Sequence, residues 1–195
     1  MSELYDCFLT GAGRTRNMDR WHHYFPIYEQ WFARYRGTDA VFVEIGIQAG
    51  GSLQMWRRWL GPRARIVGID IDPACAAFAD SATRVFIGDQ ADPAFLGRVL
   101  AEIGTPAAVL DDGGHFASQM IASFETIYPA MTVDGVYLVE DTHAAFWPQH
   151  NDRPDRRTFL QFAADRMVEL HGWTAPLENQ AALGVPAYQR APRLH

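Results

Sequence analysis

The feature that most constrains the fold is a unit that recurs five times between positions 40 and 143, a short apolar run with a polar end followed by a helical pattern. The apolar runs are AVFVEIG, ARIVGIDID, TRVFIGDQ, AAVLDDGGH and GVYLVEDTH. Continuous apolar runs separated by helices are typical of strands that are buried on both faces of a parallel sheet. The sequence therefore predicts an α/β fold, a doubly wound Rossmann-like parallel sheet of about five strands with flanking helices.

Helical periodicity extends the prediction on both sides of this core. Residues 21–36 carry an apolar stripe at spacings of three and four, formed by Tyr24, Ile27, Tyr28, Trp31, Phe32 and Tyr35. Further helices are predicted at 93–103, 117–131 and 154–171, and the tail after Trp173 shows no convincing strand. We predict a single domain over residues 1–195, with an N-terminal helical segment at 1–36, the Rossmann-like core at 40–147, and a C-terminal helix and tail at 148–195.

Charge and cysteine content exclude several classes of protein. The net charge is −6, and the basic residues are all arginine and scattered, so the basic face that nucleic acid requires is missing. No apolar stretch reaches the length of a membrane span, and the N-terminus does not resemble a signal peptide. Cys7, in an N-terminal stretch with no predicted anchor, and Cys75 are expected to be reduced thiols. These features predict a soluble cytoplasmic protein without nucleic-acid or membrane partners.

The ends of the first two strands have the chemistry of a nucleoside site. Glycines at Gly46, Gly50 and Gly51 allow a sharp turn and close approach to a ligand, and Glu44 stands where an ammonium group could be paired. Asp70 follows by about twenty residues, the distance at which an acidic residue accepts hydrogen bonds from ribose hydroxyls. Nicotinamide enzymes use the same device, but GIQAGG lacks the dinucleotide-binding glycine spacing.

The fourth and fifth strands end in acidic residues. Asp112 and the pair Glu140 and Asp141 should meet at one edge, because neighbouring parallel strands lie about 4.8 Å apart. No cationic partner is evident near them in sequence, so a hard divalent cation such as Mg²⁺ is the simplest neutralising group. His115 would then act as general base beside the metal, while Asp111 supports the strand end.

Taken in order, the motifs DRWHHYFPIYE, VEIGIQAGGS, GIDIDP, GDQADP, DDGGH and VEDTH resemble one family over about residues 17–147. The chain resembles class I S-adenosylmethionine-dependent methyltransferases, in particular the metal-dependent macrolide sugar O-methyltransferases and the related cephalosporin hydroxylase and rhamnosyl O-methyltransferase group. The resemblance implies Mg²⁺ ligands at Asp112, Glu140 and Asp141, with His115 as the catalytic base. It places Glu44, Gly46, Gly51, Ser52, Asp70, Asp89 and Gln90 in the S-adenosylmethionine-binding motifs.

The resemblance implies an S-adenosylmethionine- and Mg²⁺-dependent O-methyltransferase of natural product biosynthesis, whose acceptor is a sugar or another hydroxylated small molecule. Two departures stand out. Gly114 replaces a serine that is common in the family, and we expect the C-terminal strand hairpin of such methyltransferases to be missing. An exposed fifth strand would favour a homo-oligomer. Two alternatives remain at this point, a nicotinamide-dependent Rossmann oxidoreductase and a non-catalytic methyltransferase-like binding protein.

Overall fold

The computed structural model describes residues 3–11 and 13–172. All five strands are parallel and lie in the order β3-β2-β1-β4-β5. Their bounds are β1 Val41–Ile45, β2 Arg65–Asp70, β3 Thr83–Ile87, β4 Ala108–Asp111 and β5 Val136–Val139. This arrangement confirms the predicted doubly wound sheet, and it makes β4 and β5 neighbours, with Asp111 opposite Val139.

Six α-helices surround the sheet in the described part of the chain. They are α1 Glu3–Thr10, α2 Phe25–Phe32, α3 Gly51–Leu60, α4 Pro93–Ile103, α5 Ala117–Ile127 and α6 Phe159–Gly172. The predicted start of the last helix at 154 is wrong, because Asp155 stabilises a turn instead. Its carboxylate accepts from the Arg153 guanidinium at 3.0 and 2.9 Å and from the backbone N–H of Arg157 at 3.0 Å.

The N-terminal stretch is anchored, contrary to the prediction for the segment around Cys7. Helix α1 packs against α2 and α3, its Leu4 is fully buried, and the Leu4 backbone N–H donates to Glu29 at 2.7 Å. The aromatic stripe of α2 is also rotated from the predicted one. Residues 25, 28, 32 and 35 are buried, whereas Ile27 and Trp31 are 43% and 45% exposed on the opposite face.

Alternate strand residues face two separate apolar clusters, one on each side of the sheet. Phe42 and Leu110 face α1, α2 and α3 and pack with Trp56. Val43 and Val109 face the other side and pack against α4 and the end of α5. Because both faces are covered, the strands can be apolar throughout, and only their ends are left for polar chemistry.

The C-terminal helix α6 packs on α5 through Phe159 and Phe162, which contact Met120 and Ile121. Strand β5 lies at an edge of the described sheet. The expectation of a missing C-terminal strand hairpin concerns residues after 172 and lies outside the described residues. Among the described helices, none combines the length and the apolar character needed to cross a membrane.

Candidate functional site

A cavity of about 680 Å³ lies at the carboxyl ends of the strands. Its lining comes from all five strand ends and from residues 19–21, which precede α2. This is where open α/β sheets bind ligands, because the chain connections diverge there. Of the predicted site residues, Gly46, Asp70, Asp89, Gln90, Asp112, His115, Glu140 and Asp141 line it.

The turn after β1 requires a glycine at position 46. Gly46 has φ +82°, and a Cβ placed on it would lie 2.0 Å from the carbonyl oxygen of Asp112. The turn is held by Asp70 at the end of β2, whose Oδ2 accepts from the backbone N–H groups of Ile47 at 2.9 Å and Gln48 at 3.0 Å. Asp70 therefore shapes the cavity wall as well as facing the cavity.

Three predicted cofactor residues, Glu44, Gly51 and Ser52, do not line the cavity and are buried. Glu44 is fully buried, and Ser52 Oγ donates to its Oε2 at 2.8 Å. Ser52 lies in the first turn of α3. The residue before α3 is Gly50, in a left-handed conformation without a side-chain cap. Direct contact of these three residues with a cofactor stays a prediction.

Arg20 is the residue that the sequence analysis missed. Its guanidinium, 8% exposed, donates through Nη2 to Glu44 and through Nη1 to Asp112, and its Nε lies 3.7 Å from Glu140 Oε1. Burial disfavours the Arg20 charge, but the attraction of Glu44 and Glu140 outweighs burial and raises the pKa of Arg20. Asp112 and Glu140 therefore have a cationic partner, contrary to the expectation from the sequence, since a buried arginine supplies one.

Residues 15–20 form a short segment, called the strap below, which positions Arg20 at the cavity. The backbone N–H groups of Thr15 and Arg16 donate to Gln54 Oε1 at 2.9 and 3.1 Å. The Gly51 N–H donates to the Asn17 carbonyl at 3.1 Å, and a Cβ on Gly51 would come within 2.2 Å of that oxygen. The close approach of the strap therefore requires a residue without a side chain at position 51. The sequence signal for Arg20 was its place in the DRWHH motif, just before the aromatic helix.

Asp112, His115 and Asp141 converge at the ends of β4 and β5. One ligand atom from each lies within 4.8 Å of the other two. His115 Nε2 is 3.9 Å from Asp112 Oδ1 and 3.6 Å from Asp141 Oδ2. The other oxygen of each carboxylate has a protein partner, Arg20 for Asp112 and the Tyr24 hydroxyl, at 2.8 Å, for Asp141. Each aspartate therefore keeps one oxygen directed toward the imidazole.

Glu140 lies apart from this three-residue group. It is 5% exposed and accepts a hydrogen bond from the hydroxyl of Tyr28 on α2. Burial raises the pKa of Glu140 to about 7, although the nearby Arg20 guanidinium lowers it. Glu140 borders the cavity without joining the cluster formed by Asp112, His115 and Asp141, and its role as a metal ligand stays a prediction.

The backbone of His115 has an uncommon conformation. The residue has φ +58°, in the left-handed region that non-glycine residues adopt infrequently. Burial lowers the pKa of His115, which the attraction of Asp141 only partly offsets, so the environment favours the neutral form of the ring. Its Nδ1 is buried without a hydrogen-bond partner among the described residues. A neutral imidazole of this kind can accept a proton at Nε2.

The end of β3 contributes two residues with different exposure. Asp89 is exposed at the cavity, and its carboxylate accepts from the backbone N–H of Ala91 at 2.8 Å. Gln90 is 6% exposed and reaches inward to Asp111, which is itself buried. Burial raises the pKa of Asp111, while hydrogen bonds from neighbouring side chains lower it. Asp111 therefore belongs to the interior, consistent with its expected support of the strand end.

The comparisons with known proteins identify relatives that are considerably longer than this chain. No family model matches. The 8-demethyl-8-(2-methoxy-alpha-L-rhamnosyl)-tetracenomycin-C 3'-O-methyltransferase of Streptomyces olivaceus is 36% identical over 180 residues, 86% of this chain and 46% of that protein. The mycinamicin VI 2''-O-methyltransferase of Micromonospora griseorubida is 33% identical over 69% of this chain and 35% of that protein. The chain thus spans less than half the length of these relatives.

Solved structures give the same result at the level of the fold. The MycE methyltransferase from the mycinamycin biosynthetic pathway, in complex with Mg, SAH and mycinamycin VI, superposes with a TM-score of 0.73 at 29% identity. The match covers 87% of this chain and 48% of that one. A second structure of the same enzyme, with Mg and SAH, has a TM-score of 0.76 at 28% identity and covers 90% of this chain and 46% of that one.

Proposed function

Because this chain belongs to the class I methyltransferase family of the macrolide and rhamnosyl sugar O-methyltransferases, we propose that it transfers a methyl group from S-adenosylmethionine to a hydroxyl of a glycosylated small molecule, with Mg²⁺ as a second cofactor. The single observation that carries the proposal is the convergence of Asp112, His115 and Asp141 beside the cavity. Family membership supplies the reaction class, and this cluster supplies residues suited to it.

The chemistry of the donor set fits the proposed metal. Asp112 and Asp141 each direct one carboxylate oxygen toward the same point, and Mg²⁺ prefers oxygen ligands while keeping positions for water or substrate. Glu140 borders the same cavity and is the third proposed ligand. Bound Mg²⁺ would supply Lewis acidity, lowering the pKa of an acceptor hydroxyl.

The residues of the chain then have separate tasks. His115 accepts the proton of the acceptor hydroxyl at Nε2, which faces both aspartates. Gly46 and Asp70 shape the wall on the side of β1 and β2, where we place the cofactor, and Asp89 faces the same cavity. The cofactor carries the reactive methyl group, so the protein contributes binding, orientation and the removal of one proton.

The acceptor class is inferred from the relatives. The named relatives methylate rhamnosyl tetracenomycins and the glycosylated macrolide mycinamicin VI. We propose an acceptor of the same chemical kind, a sugar attached to a larger apolar small molecule. We also propose a homo-oligomer that pairs through the exposed edge of β5.

A thermal-shift titration tests cofactor and metal before any acceptor is known. S-adenosylhomocysteine at about 100 times its Kd should stabilise the wild-type chain by about 2.7 kcal/mol, a shift of about 5–10 °C for a domain of this size. MgCl2 should add a further shift in the wild type, and this increment should disappear in Asp112→Asn. The control is Asp134→Asn, which changes a carboxylate that is 71% exposed and should keep the full response.

Two results would overturn the proposal. One is a shift with NADH and none with S-adenosylhomocysteine, which would revive the oxidoreductase alternative. The other is a magnesium response that is equal in the wild type and Asp112→Asn, which would place the cation elsewhere.

A further inference from the structure

Gln90 connects parts of the protein that are distant in the sheet. It follows β3, yet its Nε2 donates to Asp111 Oδ1 at the end of β4 at 3.0 Å, although β1 and β2 lie between these strands. Its Oε1 accepts from the backbone N–H of Gly114 at 3.1 Å. Both polar ends of the amide are therefore used inside the protein, which is unexpected for a residue predicted to bind the cofactor.

Asp111 is the buried residue that holds the Gln90 side chain through a hydrogen bond. The aspartate is 1% exposed, and its Oδ2 accepts from Ser123 Oγ at 2.6 Å and from the Tyr137 hydroxyl at 2.9 Å. These partners lie on α5 and β5, so the carboxylate joins the loop after β3 to both elements. A buried polar network in which each member has partners is rigid, since losing one partner leaves a costly unpaired group.

The loop between β4 and α5 packs directly on the Gln90 amide. A Cβ on Gly113 would lie 1.7 Å from Gln90 Oε1, so any other residue would displace the amide from this position. The next residue, Gly114, donates the hydrogen bond to Gln90, and the residue after it is His115 with φ +58°. The amide thus contacts the loop immediately before the residue whose backbone is held in a rarely populated conformation.

We infer that Gln90 is a positioning residue, which fixes the Gly113–Gly114 backbone so that His115 Nε2 is directed at Asp112 and Asp141. The inference rests on the proposed function, because the placement of the His115 imidazole matters for the reaction only if His115 acts as the base. It differs from the sequence-based expectation, in which the Gln90 side chain binds the cofactor directly. In the inferred role, Gln90 acts through the loop and its effect on cofactor affinity is small.

The test is Gln90→Met, which keeps the length of the side chain and removes both hydrogen bonds. Amide hydrogen exchange of Gly114, measured by NMR on the full chain, should be at least about tenfold faster in the variant, because its acceptor is gone. The Kd for S-adenosylhomocysteine should change less than about threefold. In a methyl-transfer assay kcat should fall by about 100-fold with KM little changed, the size expected for a misplaced catalytic group.

Two further variants separate positioning from general loss of stability. Gln119→Met removes an amide beside the same loop, whose Oε1 has no partner among the described residues, and should leave Gly114 exchange unchanged. Ser123→Ala removes one donor to Asp111 and should lower stability while leaving the Gln90 to Gly114 bond protected. If Gln90→Met does not fold, Gln90→Asn, which is one methylene shorter and cannot span both partners, carries the same expectations.

The outcomes distinguish the inference from the proposed function. Unchanged Gly114 exchange in a folded Gln90 variant would overturn the inference, as would a large loss of S-adenosylhomocysteine affinity with Gly114 still protected, which would make Gln90 a cofactor ligand. If the wild type binds neither S-adenosylhomocysteine nor Mg²⁺, the proposed function fails and His115 loses its role, whatever the exchange data show for the loop.

Discussion

Replacing Arg20 by methionine should destabilise the protein more than the loss of an ordinary ion pair. The Arg20 side chain is 8% exposed, and its partners Glu44, Glu140 and Asp112 are 0%, 5% and 12% exposed. Removing one partner of a buried ion pair leaves the remaining charge without compensation and costs about 3–5 kcal/mol. A pair at the surface contributes only about 0–1 kcal/mol, because water screens both charges.

The stability lost in Arg20→Met should also increase with pH. Burial raises the pKa of Glu140 to about 7, so its folded pKa is above its unfolded value of 4.5. Its contribution to stability is therefore lost as pH rises between about 4.5 and 7, where the folded state holds more protons than the unfolded state. Arg20 lowers the pKa of Glu140, so without Arg20 the pH range over which this stability is lost extends to higher pH. The variant should consequently be impaired less at pH 5.5 than at pH 8.

Urea denaturation of the wild type, Arg20→Met and Arg34→Met at pH 5.5 and pH 8 measures both effects. Arg34 is the matched control, since its guanidinium pairs with Asp134 at 2.9 Å but the two side chains are 49% and 71% exposed. We expect a loss of about 3–5 kcal/mol at pH 8 for Arg20→Met and at most about 1 kcal/mol for Arg34→Met. Equal losses for the two variants, or an Arg20→Met loss that does not grow with pH, would refute the reasoning.

The remaining predictions concern the turn after β1 and the two thiols. Gly46→Ala should lower the free energy of unfolding by about 2–6 kcal/mol in urea denaturation, because its Cβ would meet the Asp112 carbonyl and its φ is +82°. The control is Gly97→Ala in α4, where a Cβ has open space, and it should be neutral or stabilise by up to about 1 kcal/mol. A loss equal to that of the control would contradict the close-approach argument. Burial raises the pKa of Cys75 to about 11, so at pH 8 a thiol reagent should label Cys7, which is half-buried, and spare Cys75 until the protein unfolds. Rapid labelling of both thiols in the native protein would show that the Cys75 environment is more open than described.

The fold could be predicted from the sequence because both faces of the sheet are covered. A strand buried on both faces must be apolar throughout, so runs such as AVFVEI are visible without any partner being known. The convergence of the strand ends follows from the parallel arrangement alone, and the structure brings Asp112, His115 and Asp141 together as that geometry requires. Helix starts were less predictable, since a single side chain such as Asp155 can hold a turn in place of the first helical residues.

What the sequence by itself determined is therefore the architecture, the edge of the sheet at which the cavity lies and the family. What only the tertiary structure decided is which side chains meet there. Arg20 and Asp112 are 92 positions apart, and they meet because the strap is pinned to α3. Glu140 accepts a hydrogen bond from Tyr28 of α2 and lies outside the group formed by Asp112, His115 and Asp141. Periodicity in the sequence predicts only whether a residue is buried. The partner of a buried polar side chain depends on how distant elements pack together, and no local sequence pattern carries that information.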